Sequence, residues 1–132
     1  MPARNLVLFV CLHASAKSLI AAEYFNRRAA AQGLPFHALS AGTDPDESVP
    51  PHVVAGMRGD GYEVSDRRPL RLTKDLAAPA RIAVSFEPEL AEYVPPGCVV
   101  ERWSVPAVSD DYAIARDAIK VRVDSLIGQL AS

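Results

Sequence analysis

Apolar residues run without a break from Leu6 to Val10 and end on Cys11. A short continuous apolar run fits a strand covered on both faces, as in parallel sheets. Over residues 17–32 the pattern changes to helical spacing, with Leu19, Ile20, Ala22, Tyr24 and Phe25 as the apolar stripe and Gly33 as the stop. Residues 36–40 predict a second strand. The stretch AGTDPDESVPP is turn chemistry throughout. A helix over residues 52–59 follows its prolines, because proline is tolerated where a helix begins. GYEVSDRRPLRL reads as a polar loop with slight extended character. Residues 81–85 and 99–103 predict the third and fourth strands. Residues 110–130 predict a long final helix, with Ile114, Ala118, Val121, Leu126, Ile127 and Leu130 at helical spacing.

Strands alternating with helices predict an α/β fold of three layers, a four-stranded parallel sheet with helices on both faces. A length of 132 residues fits one domain spanning the whole chain. In such sheets ligands bind outside the carboxyl ends of the strands, and Cys11 stands at one.

Composition narrows the function. A formal charge of −2 with no Lys/Arg block argues against nucleic acid and against an anionic membrane as partner. No apolar run approaches the ~18 residues of a membrane span. The start, MPARNLVLFVCLH, reads as a strand and not as a cleavable leader, so a cytoplasmic location is expected. The two cysteines, Cys11 and Cys98, form no CxxC, so neither a disulfide framework nor a zinc site is expected. No metal or cofactor is implied.

The chemistry concentrates after Cys11, in Leu12, His13, Ala14, Ser15 and Ala16, followed by Lys17 and Ser18. A small-residue loop that joins a strand end to a helix start points backbone N–H groups at one spot, and with the helix dipole it holds a tetrahedral oxyanion. The same field favours a thiolate at Cys11, which facing a bound phosphate is an activated nucleophile. Ser18 is placed to donate to the sulfur, and Lys17 to set a positive charge beside the anion. The alternative is that Cys11 is a buried core thiol, the usual fate of a free cysteine. His13 is either a pocket side chain in a useful titration range or a solvent-facing loop residue.

These features resemble the low-molecular-weight protein tyrosine phosphatases and the thioredoxin-coupled arsenate reductases that share their fold. The family carries a strand, then Cys-x5-Arg-Ser, then a helix, and VLFVCLHASAKS matches it except at one position. LSAGTDP is similar to its Ser-Ala-Gly-Thr segment, and PPHVVAGMRGDGYEVSDRRPLRLT to its next helix and Ser-x-Arg-x-Pro loop. ARIAVSF and VVERWSVP are similar to its third and fourth strands, so the resemblance spans nearly the whole chain.

The resemblance implies that Cys11 attacks phosphorus to form a phosphocysteine, with the loop from Leu12 to Lys17 binding the oxyanion. Phosphotyrosine and aryl or small phosphate esters would be the substrates. Three departures fall on that chemistry. Lys17 replaces an arginine whose planar fork grips two oxygens. Ala14 replaces an asparagine that steadies the loop. Val105-Pro106 stands where the family has an Asp-Pro general acid. Asp110 and Asp111 are the remaining candidates for that acid, although Ser-Asp-Asp before a helix is also a capping signal. The expectations are therefore a weak or altered phosphatase, a non-catalytic binder of oxyanions or phosphoproteins, or an arsenate reductase for which Cys98 lies outside the usual relay position. No oligomeric interface is legible.

Overall fold

The computed structural model describes residues 4–131, so the part of the leader reading that rests on residues 1–3 lies outside the described residues. The chain runs β1 (Leu6–Cys11), α1 (Lys17–Ala31), β2 (His37–Gly42), α2 (Pro51–Gly59), β3 (Leu70–Arg71), α3 (Lys74–Ala77), β4 (Ala80–Ser85), β5 (Val99–Arg102) and α4 (Tyr112–Ala131). All strand pairings are parallel and the order across the sheet is β3-β2-β1-β4-β5. The sheet thus has five strands where four were expected. The addition is the edge pair Leu70–Arg71, whose register places Leu70 against Ala41 and Arg71 against Gly42. Two residues are too few for a periodic signal, so the segment reads as loop in the sequence.

Every residue of β1 is buried, as its continuous apolar run requires. Alternation divides the strand between two cores. Val7, Phe9 and Cys11 face α1, α2 and α4, while Leu6, Leu8 and Val10 face Leu72, Ala77 of α3 and Leu90. Helices therefore cover both faces, but among the described residues the second carries only the short α3. Phe9 packs against both Phe25 of α1 and Trp103 beyond β5, with ring centroids 6.1 and 5.6 Å apart.

Helix ends follow their residues. After α1, Gly33 adopts φ +66° and the Leu34 amide bonds back to the Ala29 carbonyl, a glycine-dependent C-terminal turn. The final helix begins later than expected, at Tyr112, because the Asp111 carboxylate caps it by accepting from the Ile114 amide at 3.1 Å. Its buried seam is Ala115, Ile119, Val123, Leu126 and Ile127. Ile114 and Val121, assigned to that stripe from sequence, are 57% and 70% exposed. They sit at helical spacing from one another on the solvent side, so periodicity alone did not choose the face. No helix among the described residues is long and apolar enough to cross a membrane.

The chain leaves β1 toward β2 and β3 on one side, then crosses back to β4 and β5 on the other. The carboxyl ends of β1 and β4 are therefore the switch point of the sheet, the place where ligands bind in open parallel sheets.

Candidate active site

Cys11 ends β1 at this switch point, and its side chain forms part of the floor of a cavity of about 250 Å³. The loop after it provides one wall. Segment 107–109, Glu87 and His52 complete the rim. The Cys11 sulfur lies 2.9 Å from Ser18 Oγ, which lies 2.6 Å from Ser40 Oγ. Ser40 also donates a long bond, 3.5 Å, to the Ala14 carbonyl. Each hydroxyl carries one proton. With Cys11 as a thiolate, the satisfied arrangement is Ser40 donating to Ser18 and Ser18 donating to sulfur, with the long bond to Ala14 released.

The loop is laced to the turn after β2. The amide of Asp44 donates to the Leu12 carbonyl at 2.8 Å and that of Asp46 to the His13 carbonyl at 3.0 Å. Ser15 donates to the Asp46 carboxylate, and His13 Nδ1 bonds to the Asp44 carbonyl at 2.8 Å. That carbonyl bond raises the His13 pKa above the ordinary value, aided by the Asp46 and Asp44 charges and opposed by partial burial. These ties hold the loop although Ala14 offers no side-chain hydrogen bond. Ala14 itself sits at φ +58°, the left-handed region that costs a non-glycine residue about 1–2 kcal/mol. Gly42 makes the close packing possible, since a Cβ there would stand 2.6 Å from the Leu12 carbonyl and 2.8 Å from the Ala14 amide.

Glu87 is the residue that sequence reading missed. Its two carboxylate oxygens accept from the Leu12 amide at 3.1 Å and from Lys17 Nζ at 2.9 Å. Two of the groups expected to bind an oxyanion thus already hold a carboxylate of the same chain. The turn that carries Glu87 is braced from both sides. Ser85 donates to the Pro88 carbonyl, and Arg102 donates to the Glu87 carbonyl at 2.9 Å. The available signal was topological: Glu87 follows the strand beside β1, so it reaches the same end of the sheet as Cys11. Ser15, Ser18 and Ser85 are the buried polar side chains among the described residues, and each braces this site.

Other candidates fall elsewhere. Asp110 and Asp111 adjoin the rim segment but do not line the cavity, and the Asp111 carboxylate is committed to its cap. Arg67 pairs with Glu23 at 3.0 Å, and Arg71 donates to the Thr43 carbonyl. Cys98 packs in the second core just before β5. Val10 pairs with Ser85, and Ser85 with Arg102. Cys98 therefore lies at the amino end of the sheet, about 17 Å back along the strands from Cys11 at ~3.3 Å per residue, and two strands over. A disulfide needs Cα atoms within ~7 Å, so this fold does not bring the cysteines together.

The comparisons agree with the geometry. A model of the family described as "Low molecular weight phosphotyrosine protein phosphatase" matches residues 6–124. The chain belongs to this family. Among solved structures, a thioredoxin-dependent arsenate reductase of Corynebacterium glutamicum matches at 24% identity and TM-score 0.80, covering 98% of this chain and 63% of that one. This chain therefore spans less than two thirds of that relative's length. An arsenate reductase from Archaeoglobus fulgidus matches at 27% identity and TM-score 0.74, covering 92% and 98% of the two chains. A low molecular weight protein tyrosine phosphatase from T. tengcongensis matches at 20% identity and TM-score 0.83, covering 94% and 98%. A search of curated proteins finds no match. Solved structures similar to this chain thus include both phosphatases and arsenate reductases.

Proposed function

We propose that this chain is a cysteine-dependent phosphatase of the family, restricted to phosphate monoesters with good leaving groups, such as aryl phosphates. The observation that carries the reading is the chain from Cys11 Sγ through Ser18 to Ser40 at the floor of the cavity. In the first step the thiolate attacks phosphorus, an S–P bond forms, the P–O bond to the aryl group breaks, and the phenolate departs. In the second, water attacks phosphorus, the P–S bond breaks, the thiolate returns, and inorganic phosphate leaves. Ser18 stabilises the thiolate at both ends of the cycle. Lys17 and the loop amides stabilise equatorial charge. Aryl leaving groups are favoured because they depart as phenolates without a proton, while Asp46, the aspartate that lines the cavity, is engaged by Ser15 and His13. General acid help contributes ~10²–10⁴-fold, so alkyl phosphates turn over far more slowly.

Relatives support oxyanion binding as part of this reading. One matched structure is an arsenate reductase in the phosphate binding state, and another is Vibrio vulnificus Wzb in complex with benzylphosphonate.

A second reading, an oxyanion binder without turnover, is favoured by one observation, the capture of Lys17 and the Leu12 amide by Glu87. Single-turnover mixing with p-nitrophenyl phosphate, followed by intact mass, separates the two. The phosphatase reading expects a burst of nitrophenol and a phosphate adduct, both lost in Cys11→Ser. Phosphate binding with no burst establishes the binder. Arsenate-dependent consumption of added thiol, with no burst, assigns the chain to the reductase branch.

A further inference from the structure

A second cavity, of about 220 Å³, opens between α1, α2 and α4. It shares no lining residue with the cavity over Cys11. Three tyrosines line it, and each carries a cation of the chain over its ring. The Arg27 guanidinium lies 3.7 Å from the centroid of Tyr62, that of Arg116 lies 5.8 Å from Tyr112, and Lys120 Nζ lies 5.2 Å from Tyr24. Ile20 and Met57 complete the apolar wall. Tyr112 rests on Gly56, where a Cβ would stand 2.7 Å from its ring carbons, so helix α2 is shaped to seat it.

The charge is unbalanced. Among the lining residues Asp60 is the carboxylate, and each of its oxygens is engaged, one by the Tyr112 hydroxyl and one by Arg116, each at 2.9 Å. The neighbouring acids are also engaged: Asp117 by Arg116, Asp124 by the Tyr24 hydroxyl and Arg28, and Glu23 by Arg67. Arg27 donates to the Asp60 and Gly61 carbonyls, and no carboxylate stands within ion-pair distance of Arg27 or Lys120 among the described residues, although the Asp117 charge acts on Lys120 from farther off. The lining thus carries three cations, Arg27, Arg116 and Lys120, against the one carboxylate of Asp60, in a chain of formal charge −2. Burial raises all three tyrosine pKa values, Tyr24 to about 12, so the hydroxyls remain donors and none serves as a nucleophile at neutral pH.

We infer that this cavity is a binding site for a small planar organic anion, a single aromatic ring bearing a carboxylate. The rings and Ile20 supply flat apolar contact, and Lys120 and Arg27 receive the charge. A cationic ligand is disfavoured, since Arg27, Arg116 and Lys120 each stand over one face of a ring and repel a further cation. The volume falls below the ~300 Å³ at which drug-sized pockets begin, which limits the ligand to one ring. The inference does not depend on Cys11 acting as a nucleophile.

The test is an amide NMR titration of the full chain with sodium benzoate, with benzamidinium chloride as the cation of matching shape, at constant ionic strength. The expected result is saturable shifts at residues 20–27, 57–62 and 112–120 with benzoate in the low-millimolar range and none with benzamidinium. Lys120→Glu, a partly exposed position outside the core, should weaken benzoate by about ten-fold or more, and Lys120→Arg should retain it. Benzoate shifts confined to residues 12–18, equal response to both probes, or undiminished binding in Lys120→Glu would overturn the inference. The comparison of probes needs no variant, so it stands even if a substitution fails to fold.

Discussion

Lys17 Nζ lies 2.9 Å from Glu87 Oε2, so the cation expected to hold a substrate oxyanion is bound instead to a carboxylate of its own chain. The Lys17 side chain is 20% exposed and that of Glu87 is 44% exposed. Solvent screening at that exposure keeps the pair modest, at about 1 kcal/mol or less. An incoming oxyanion must displace Glu87 from both Lys17 and the Leu12 amide, and it meets the repulsion of that carboxylate as it enters.

Replacing Glu87 by Gln should therefore tighten inorganic phosphate by roughly 2–5-fold at neutral pH, the equivalent of about 0.5–1 kcal/mol. Isothermal titration of the two proteins measures it. Weaker binding in the variant would mean that Glu87 holds the loop in shape and does not compete with the ligand.

In that Glu87→Gln background, Lys17→Arg should tighten phosphate further, by about ten-fold, because a guanidinium engages two oxygens at once. An unchanged constant would indicate that the loop departs from the shape its relatives use.

Ser18→Ala removes the hydroxyl 2.9 Å from Cys11 Sγ. A hydrogen bond to a charged partner contributes about 1.5–3 kcal/mol, so alkylation of Cys11 by iodoacetamide at neutral pH should slow by about ten-fold or more. A rate equal to the wild type would show that the sulfur does not depend on the Ser40–Ser18 chain.

The folded-state pKa of His13 is raised, chiefly by its bond to the Asp44 carbonyl. The stabilisation from that clamp is fully present below the unfolded value near ~6.5 and is lost as pH rises through the higher folded value. Sulfate, whose charge is constant over this range, should bind more tightly below that window than above it, and His13→Asn should flatten the profile. A proton NMR titration that places the His13 midpoint at or below the ordinary histidine range would reject the clamp.

Gly42→Ala forces a Cβ to within 2.8 Å of the Ala14 amide and 2.6 Å of the Leu12 carbonyl. The loop must move, at a cost of about 1–3 kcal/mol. Oxyanion binding should fall far more than the thermal midpoint does. Retained binding would show that the loop shape around Ala14 is dispensable.

The sequence alone determined the elements whose apolar pattern has a single solution. β1 is apolar without interruption, so it is a central strand, and the small-residue loop after it leads into α1. Cys11, Lys17 and Ser18 follow from local order along the chain, and the structure brings them to one site. For α4 the pattern was ambiguous, because apolar side chains lie on more than one face of the helix. Ala115, Ile119 and Val123 were chosen by packing into the core shared with α1, and Ile114 and Val121 were left in water.

Only the tertiary structure decided what surrounds Cys11. Ser40 reaches Ser18 from β2, and Glu87 reaches Lys17 from the end of β4, across sequence separations of 22 and 70 residues. Neither contact has a local signature, because each depends on which strands flank β1 and in what register they end. The same reason removes Cys98 from the site and gathers Tyr24, Tyr62 and Tyr112 from three segments around one cavity. Periodicity along a chain records which way a side chain faces; only the closing of the sheet records what it meets there.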